Sequence, residues 1–381
     1  MLLVVPWDQA QGGVNTVVRN LANALRERNR EPLFLFPGDS VTPRGGVSRL
    51  GFPAVHMKLR PPRVAGRTLV SAATFALSAP AALWQLARLV RSRGIGVVNV
   101  HYVEPYAAIF VALERMMGVR LVTSVHGSDL TGLADRPFDR PQIGFVLRHS
   151  DVVIAPSLAY ADYVRREFPD AAARVIGIPN GVDVDAVVAM AAAPDVALPH
   201  ATRAGLPYFV CVAALMPKKA HDTLLRAFST LGHAHRLLLV GDGPMRGEVE
   251  RLIEKLGLSD RVFLLGEQPP VVVAKLLAGA VASVLASRDE PFGIVAVESM
   301  AVGTPVVATK VGGLAEIVEH EHSGLTVPVD DPSALAAALE RIAGDTALRE
   351  RLGSAASESA HRRFDWRAWS STYLEVLADG R

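Results

Sequence analysis

Residues 286–318 read ASRDEPFGIVAVESMAVGTPVVATKVGGLAEIV. An apolar run ends at Ala286 and a loop carrying Glu290 follows, closed by Pro291, a residue suited to a helix's first turn. The helix carries Glu298, a second apolar run ends at Ala308, and Gly312–Gly313 opens another helix. Strand, loop, helix, strand, glycine loop, helix is the order of a parallel sheet covered on both faces. In such sheets ligands bind beyond the carboxyl ends of the strands, where helix N-termini and loop amides collect.

The same alternation runs outward through the chain. Leu2–Pro6 is a short apolar strand, followed by Gln11-Gly12-Gly13-Val14 and a helix from about Asn15 to Arg28. Further strands are expected at Leu33–Phe36, Val97–Val100, Leu121–Val125, Val152–Ile154 and Val175–Ile178. From Asp183 to Leu206 the pattern weakens into an alanine and proline stretch, a linker candidate. It restarts with strands at Tyr208–Val212, Leu237–Val240, Val262–Leu265, Val281–Leu285 and Pro305–Ala308, separated by helices. The expected fold is therefore α/β: two doubly wound, Rossmann-like domains, residues 1–190 and 200–363, facing across a cleft. In the helical tail, Trp366, Trp369, Tyr373, Leu374 and Leu377 recur at helical spacing, so residues 364–381 are expected to bury an aromatic face and to cross back to the first domain.

Composition agrees. A chain of 381 residues exceeds one ordinary core. Half of the residues are hydrophobic and the net charge is +2, without a basic run or stripe, which argues against disorder and against nucleic acid as a partner. The single cysteine, Cys211, sits in an apolar run and has no partner to pair with, as in a reducing cytoplasm. The opening MLLVVP lacks a basic flank and is too short for a signal peptide. Thr68–Ala87 is uncharged and about as long as a bilayer span of roughly 20 residues. Its alanines, Ser71, Thr74, Ser78 and Gln85, and Pro80 as a helix start, favour two short helices on a sheet. The basic flanks Arg60, Arg63, Arg67, Arg88, Arg91 and Arg93 leave an interfacial patch on an anionic membrane as the other reading.

The chemistry centres on the quoted stretch. With Pro291 in the first turn, the free amides of Phe292, Gly293 and Ile294 offer a diphosphate site. A carboxylate about 6 Å from a phosphate charge is repelled by roughly 3 kcal/mol at an effective dielectric of about 20. Glu290 is therefore expected to face hydroxyls, whose charge-assisted bonds of about 1.5 to 3 kcal/mol each offset that cost. Glu298 can serve a ribose in the same way. A solvated or helix-terminal carboxylate is the ordinary alternative for either residue. Gly12–Gly13, His126–Gly127 and Gly241-Asp242-Gly243-Pro244 also follow strands, where a glycine turn is usually structural, although together they suggest one ligand site.

The segment from Glu290 to Glu298, followed by Gly303-Thr304-Pro305-Val306-Val307 and Gly312-Gly313-Leu314-Ala315-Glu316-Ile317-Val318, resembles the signature of retaining glycosyltransferases of the GT-B fold, family 4. Pro179-Asn180-Gly181-Val182-Asp183, Gly241-Asp242-Gly243-Pro244 and Gly12-Gly13-Val14 resemble that family's other markers, in order, across nearly the whole chain. The resemblance implies a hexosyltransferase-type, metal-independent enzyme that needs no cofactor and takes a nucleoside diphosphate sugar as co-substrate. It assigns Glu290 to the donor sugar, Glu298 to the ribose, Phe292, Gly293 and Ile294 to the diphosphate, and His126 to the transferring sugar. Lys219, with Lys218 beside it, would meet the leaving diphosphate, and Gly12, Gly13, Gly241 and Gly243 would line the donor site. His101 and Asp129 would lie on the acceptor side.

One departure stands out. Val212–Asp222 reads VAALMPKKAHD, with Ala214 where the family commonly has arginine and Ala220 where it has glycine. Losing one charge-assisted contact to the leaving group removes about 1.5 to 3 kcal/mol if nothing replaces it. Asp183-Val184-Asp185 looks like a metal clamp but reads better as a turn and helix start, and no histidine or cysteine cluster suggests a metal. Two rivals remain, a nucleotide-sugar epimerase and a non-catalytic sugar-nucleotide binder. The acceptor is expected to be a glycan or a lipid-linked acceptor of cell-surface polysaccharide or glycolipid synthesis, reached in the cytoplasm or at the inner face of the cell membrane.

Overall fold

The computed structural model describes residues 1–8, 12–38, 42–59, 68–133, 136, 138–194, 196–202 and 206–378, with residues 68–77 described by backbone alone. Two compact units result, Met1–Pro179 with Trp369–Arg381, and Asn180–Ala368.

The first unit runs β1 (Leu2–Val4), α1 (Gly13–Glu27), β2 (Leu33–Pro37), β3 (Arg44–Val47), β4 (Pro53–Met57), α2 (Thr68–Arg93), β5 (Val97–His101), α3 (Ala108–Met117), β6 (Arg120–Ser124), α4 (Asp139–His149), β7 (Val152–Ala155), α5 (Leu158–Glu167) and β8 (Val175–Gly177). Its sheet has the order β3-β4-β2-β1-β5-β6-β7-β8. The pairings are parallel except β3 with β4. The inner strands are mostly apolar because helices cover both faces: Leu2, Leu35, Val98, Val100 and Leu121 pack with Phe110 and Leu86 in one core, while β5 and β6 also carry Asn99, His101, Thr123 and Ser124. The chain winds outward from β1 through β2 and then returns to β5. The order therefore reverses between β1 and β5, the place where such sheets open a crevice at the strand ends.

Two features depart from expectation here. β3 (RGGV) and β4 (PAVHM) carry little alternation; β3 is exposed throughout and sits at the sheet edge. And α2 continues through Pro80 as one helix. An interior proline costs about 3 kcal/mol, but Ala82, Leu86 and Val90, all buried, extend the packed stripe beyond it. Among the described residues no helix is long and apolar enough to cross a membrane. Arg60, Arg63 and Arg67 lie outside the described residues.

The second unit runs α6 (Val184–Ala192), β9 (Tyr208–Val212), α7 (His221–Thr230), β10 (Arg236–Val240), α8 (Arg246–Lys255), β11 (Val262–Leu264), α9 (Pro270–Ala278), β12 (Ala282–Leu285), α10 (Ile294–Ala301), β13 (Val306–Thr309), α11 (Leu314–Ile317), β14 (Gly324–Val327), α12 (Pro332–Gly344), α13 (Thr346–Phe364) and α14 (Trp366–Ala378), whose later turns belong to the first unit. Its sheet, all parallel, has the order β11-β10-β9-β12-β13-β14 and reverses between β9 and β12.

The units divide at Pro179–Asn180, ahead of the alanine and proline stretch where the sequence suggested a linker. The reason is α6: Val184 and Val187 pack with Ala274, Ala296 and Val297 of the second unit. Asp183 caps this helix, its carboxylate accepting from Ala186 N at 3.1 Å. From Trp369 onward α14 packs on the first unit, burying Trp369, Tyr373 and Leu377. The Tyr373 hydroxyl accepts from Asn99 Nδ2 at 3.1 Å and is hydrogen-bonded to Ser124 Oγ.

Candidate active site

Pairing of β9 with β12 brings their two following loops side by side in the second unit. One loop ends in a short 3-10 turn, Pro217–Lys219, and the other carries Glu290. Lys219 Nζ donates to Glu290 Oε2 at 2.6 Å, with side chains 17% and 12% exposed. Ser287 Oγ donates to the same oxygen at 3.3 Å. The two residues that the sequence assigned separately, to sugar and to diphosphate, thus hold each other in the protein alone.

After Glu290 the chain turns into α10 through buried Phe292 and through Gly293, whose φ of 114° few other residues adopt. The N–H groups of Phe292, Gly293, Ile294 and Val295 have no acceptor among the described residues. Ile294 and Glu298 stand four residues apart on one helical face, both half-buried. The Lys219–Glu290 ion pair and a set of open helix amides thus occur at the same loop, with Glu298 farther along the helix.

The glycines of these loops allow close packing of main chain on main chain. An added Cβ would lie 2.2 Å from Glu290 O at Gly312 and 2.4 Å from Phe292 Cα at Gly313, and Gly313 N donates to Glu290 O at 2.9 Å. This pair lets the start of α11 pack directly on the Glu290–Phe292 backbone. At Gly241 and Gly243 an added Cβ would lie 2.2 Å from Ala213 O and 2.5 Å from Leu215 O. Those glycines seat the β10 loop against the β9 loop.

Arg288, which sequence reasoning passed over, locks the lysine-bearing turn. Its Nη1 donates to Pro217 O at 2.8 Å, Nη2 to Asp222 at 2.8 Å and Nε to Asp330 at 2.8 Å, while its own N–H donates to Lys218 O at 2.7 Å. Hydrogen bonds to these two carboxylates hold the guanidinium pKa above its usual value. Lys218 is half-buried, and burial raises the neighbouring Asp289 carboxyl while the Lys218 charge pulls it down. Ala214 is exposed and leaves its loop position without a cation.

Ala220 follows Lys219 at φ 49°. A left-handed backbone costs an L-residue roughly 1–2 kcal/mol, which glycine avoids. Ala220→Gly is expected to stabilise the protein by about 1 kcal/mol, after allowing for glycine's greater freedom when unfolded. Urea unfolding checks this, and a destabilised variant would contradict it.

In the first unit His126 follows β6 and is half-buried, its Nε2 3.1 Å from Nδ1 of fully buried His101. Burial holds the His126 pKa down to about 4, and burial followed by the neighbouring His126 holds His101 well below its ordinary value, so both rings are neutral at pH 7. Asp129 is wholly buried and turned toward backbone: it accepts from Gly127 N at 2.8 Å, His126 N at 3.1 Å and Val103 N at 3.1 Å. His101 and Asp129, expected on the acceptor side, have no exposed surface and support the His126 loop. Tyr160 Oη reinforces it, donating to Gly127 O at 2.9 Å. Gly12 (φ 108°) precedes α1 and accepts from Thr16 N at 3.0 Å, and both it and Gly13 are exposed.

Comparison with known proteins agrees with this architecture. The family described as glycosyltransferase family 4 matches residues 11–186, and that described as glycosyl transferases group 1 matches residues 199–359. The D-inositol 3-phosphate glycosyltransferase of Xylanimonas cellulosilytica is 30% identical over 98% of this chain and 94% of its own length. N-acetyl-alpha-D-glucosaminyl L-malate synthase of Bacillus anthracis is 28% identical over 78% of this chain and 79% of its own. In fold, the structure of Anabaena HepE in complex with UDP-glucose superposes with a TM-score of 0.76 at 21% identity, covering 100% of this chain and 99% of that one.

Proposed function

The chain belongs to the family 4, group 1 glycosyltransferases, and from that premise we propose that it moves a sugar from a nucleoside diphosphate sugar to an acceptor hydroxyl with retention at the anomeric carbon. One observation carries the reading: the Lys219–Glu290 pair at 2.6 Å stands beside the open amides of Phe292–Val295, at the point where the second unit's strand order reverses. Those amides and the Lys219 ammonium take the diphosphate, the carboxylate of Glu290 takes sugar hydroxyls, Glu298 takes the ribose and His126 the transferring sugar. In the step itself the bond from the anomeric carbon to the phosphate oxygen breaks. The acceptor oxygen bonds that carbon on the same face, and its proton passes to the departing phosphate. Lys219 and helix N–H groups carry the charge that develops on the leaving group.

HepE was crystallised with UDP-glucose, and a uridine nucleotide sugar is accordingly the first donor to try. A panel of nucleotide sugars is to be assayed for slow donor hydrolysis, and for transfer with and without a membrane extract. Acceptor-dependent product is the expected result. Product without acceptor would indicate an epimerase. Donor binding with neither hydrolysis nor transfer would indicate a non-catalytic binder, the reading that exposed Ala214 favours.

We extend the reading to the acceptor's location, a glycan or lipid-linked acceptor at the cytoplasmic face of a membrane. On α2, Trp84 is 59% exposed with the Arg88 guanidinium 5.8 Å from its ring centre, and exposed Arg91 lies one turn on. An aromatic ring flanked by cations suits an anionic headgroup layer. Co-sedimentation with phosphatidylglycerol vesicles is expected to exceed that with phosphatidylcholine and to fall several-fold in a Trp84→Ala/Arg88→Ala variant. Equal binding to both lipids would contradict this part.

A further inference from the structure

His101 and His126 share one hydrogen bond, Nδ1 of the first to Nε2 of the second, 3.1 Å apart. Both rings are neutral, so one nitrogen donates and the other accepts, and two arrangements satisfy the pair. If His126 Nε2 carries the proton, His101 Nδ1 accepts it and His101 must hold its own proton on Nε2. That nitrogen is buried with no partner among the described residues, so the arrangement strands an N–H group in the interior. If instead His101 carries its proton on Nδ1 and donates, only an unprotonated nitrogen is left unpaired at Nε2. Orphaned buried N–H groups are rarer in proteins than under-satisfied acceptors, and the second arrangement is favoured on that ground.

The surroundings hold His101 in place for this. The ring lies parallel to Tyr373, at an interplanar angle of 8° and 6.5 Å between centroids. Tyr373 is fixed through its hydroxyl to Asn99 and Ser124, and Ser124 Oγ also donates to Asn99 Oδ1 at 2.9 Å. The His126 main chain is fixed separately by Asp129. With backbone and Nε2 both committed, the ring nitrogen of His126 left without a protein partner among the described residues is Nδ1.

We propose that His101 is a positioning residue that fixes His126 as the tautomer protonated on Nδ1, so that His126 presents an N–H donor to an oxygen of the bound substrate. The proposal rests on the assignment of His126 to the substrate made above. It turns the C-terminal helix into part of the site's support: α14 supplies Tyr373, Tyr373 covers His101, and His101 orients His126. In this reading the substrate group is an acceptor, a sugar hydroxyl oxygen or a phosphate oxygen, and His126 neither removes nor supplies a proton during transfer.

The test is a long-range proton–nitrogen correlation spectrum of the full-length protein labelled with 15N-histidine, at pH 7 and without donor. The expected spectrum shows His126 protonated on Nδ1 and His101 likewise. In His101→Leu the His126 preference for Nδ1 is lost, and in His101→Asn, whose amide can donate from nearly the same position, it is retained. With donor and acceptor present, kcat/KM is expected to fall about 10-fold to 100-fold in His101→Leu and to recover most of that in His101→Asn. A wild-type spectrum with His126 protonated on Nε2 overturns the proposal, as does an unchanged His126 tautomer in His101→Leu. If the leucine variant does not fold, the wild-type spectrum alone decides. Because that spectrum needs no turnover, a failure of sugar transfer and a failure of the tautomer assignment are told apart.

Discussion

Lys219→Ala is expected to lower kcat for sugar transfer by about 10²- to 10³-fold at saturating donor, the usual cost of removing one group that stabilises leaving-group charge. Several observations make the expected loss large. No cation occupies the Ala214 position, and Arg288 already has its guanidinium nitrogens committed to Pro217, Asp222 and Asp330. Of the nearby cations, Lys219 alone is fixed at 2.6 Å to Glu290. The same contact predicts strong coupling. Glu290→Gln frees Lys219 from its ion pair and removes charge from the sugar's hydroxyl acceptor, and Lys219→Ala leaves Glu290 with only Ser287. The double variant is therefore expected to be scarcely slower than the worse single variant, since residues that act as one unit give strongly non-additive losses. Rates measured for all four proteins at saturating donor check this. Turnover in Lys219→Ala equal to the parent protein's would remove Lys219 from the mechanism, and fully multiplicative losses would mean that the pair does not act together.

That ion pair also shows how far the residues alone could be read. Strand periodicity located most inner strands, because strands buried on both faces are continuous apolar runs with little else to explain them. It passed over β3, whose RGGV is exposed throughout, β4, and β14, a short, mostly buried GLTV whose apolar run is broken by glycine and threonine. Glu290 and Lys219 could be singled out as candidates from residue type, loop position and family resemblance. Their contact was not, because it follows from β12 pairing with β9 across a reversal of strand order, a long-range fact that local pattern does not contain. The glycines mark the same boundary. Glycine after a strand signals that something approaches closely, but only the fold shows that at Gly241, Gly243, Gly312 and Gly313 the approaching group is neighbouring main chain. Arg288 drew no notice in the sequence, since its two carboxylate partners lie 66 and 42 residues away. The aromatic helix at the C-terminus was expected to return to the first domain, and residues from Trp369 onward do belong to it. Its use there, covering His101 with Tyr373, depends on a ring stacking that spacing cannot specify.

Asp129→Ala is expected to cost about 3–5 kcal/mol of stability. The carboxylate is wholly buried and accepts from the amides of Val103, His126 and Gly127, so its removal leaves these donors unpaired in the interior. Each stranded buried donor costs about 1–3 kcal/mol, partly relieved where the loop moves or water enters. The deficit should depend on pH in a defined direction. Burial pushes the Asp129 carboxyl up from 3.8 to about 6, against the pull of its amide bonds. A raised carboxyl contributes stability that is fully present below its unfolded value and is lost as pH rises through the folded one. The stability gap between parent and variant is therefore expected to narrow between about pH 4 and pH 7. His126, held down to about 4, and His101, held well below its ordinary value, titrate in the opposite sense, losing stability as pH falls below 6.5, but they do so in both proteins and largely cancel in the difference. Urea unfolding of parent and Asp129→Ala at pH 4.5 and 7.5 measures the gap at each end of the window. A gap under 1 kcal/mol at both ends would mean that the loop amides find other acceptors. A gap that widens with pH would mean that Asp129 is held ionised by its three amides, and the same carboxylate would then act as a fixed anion behind His126.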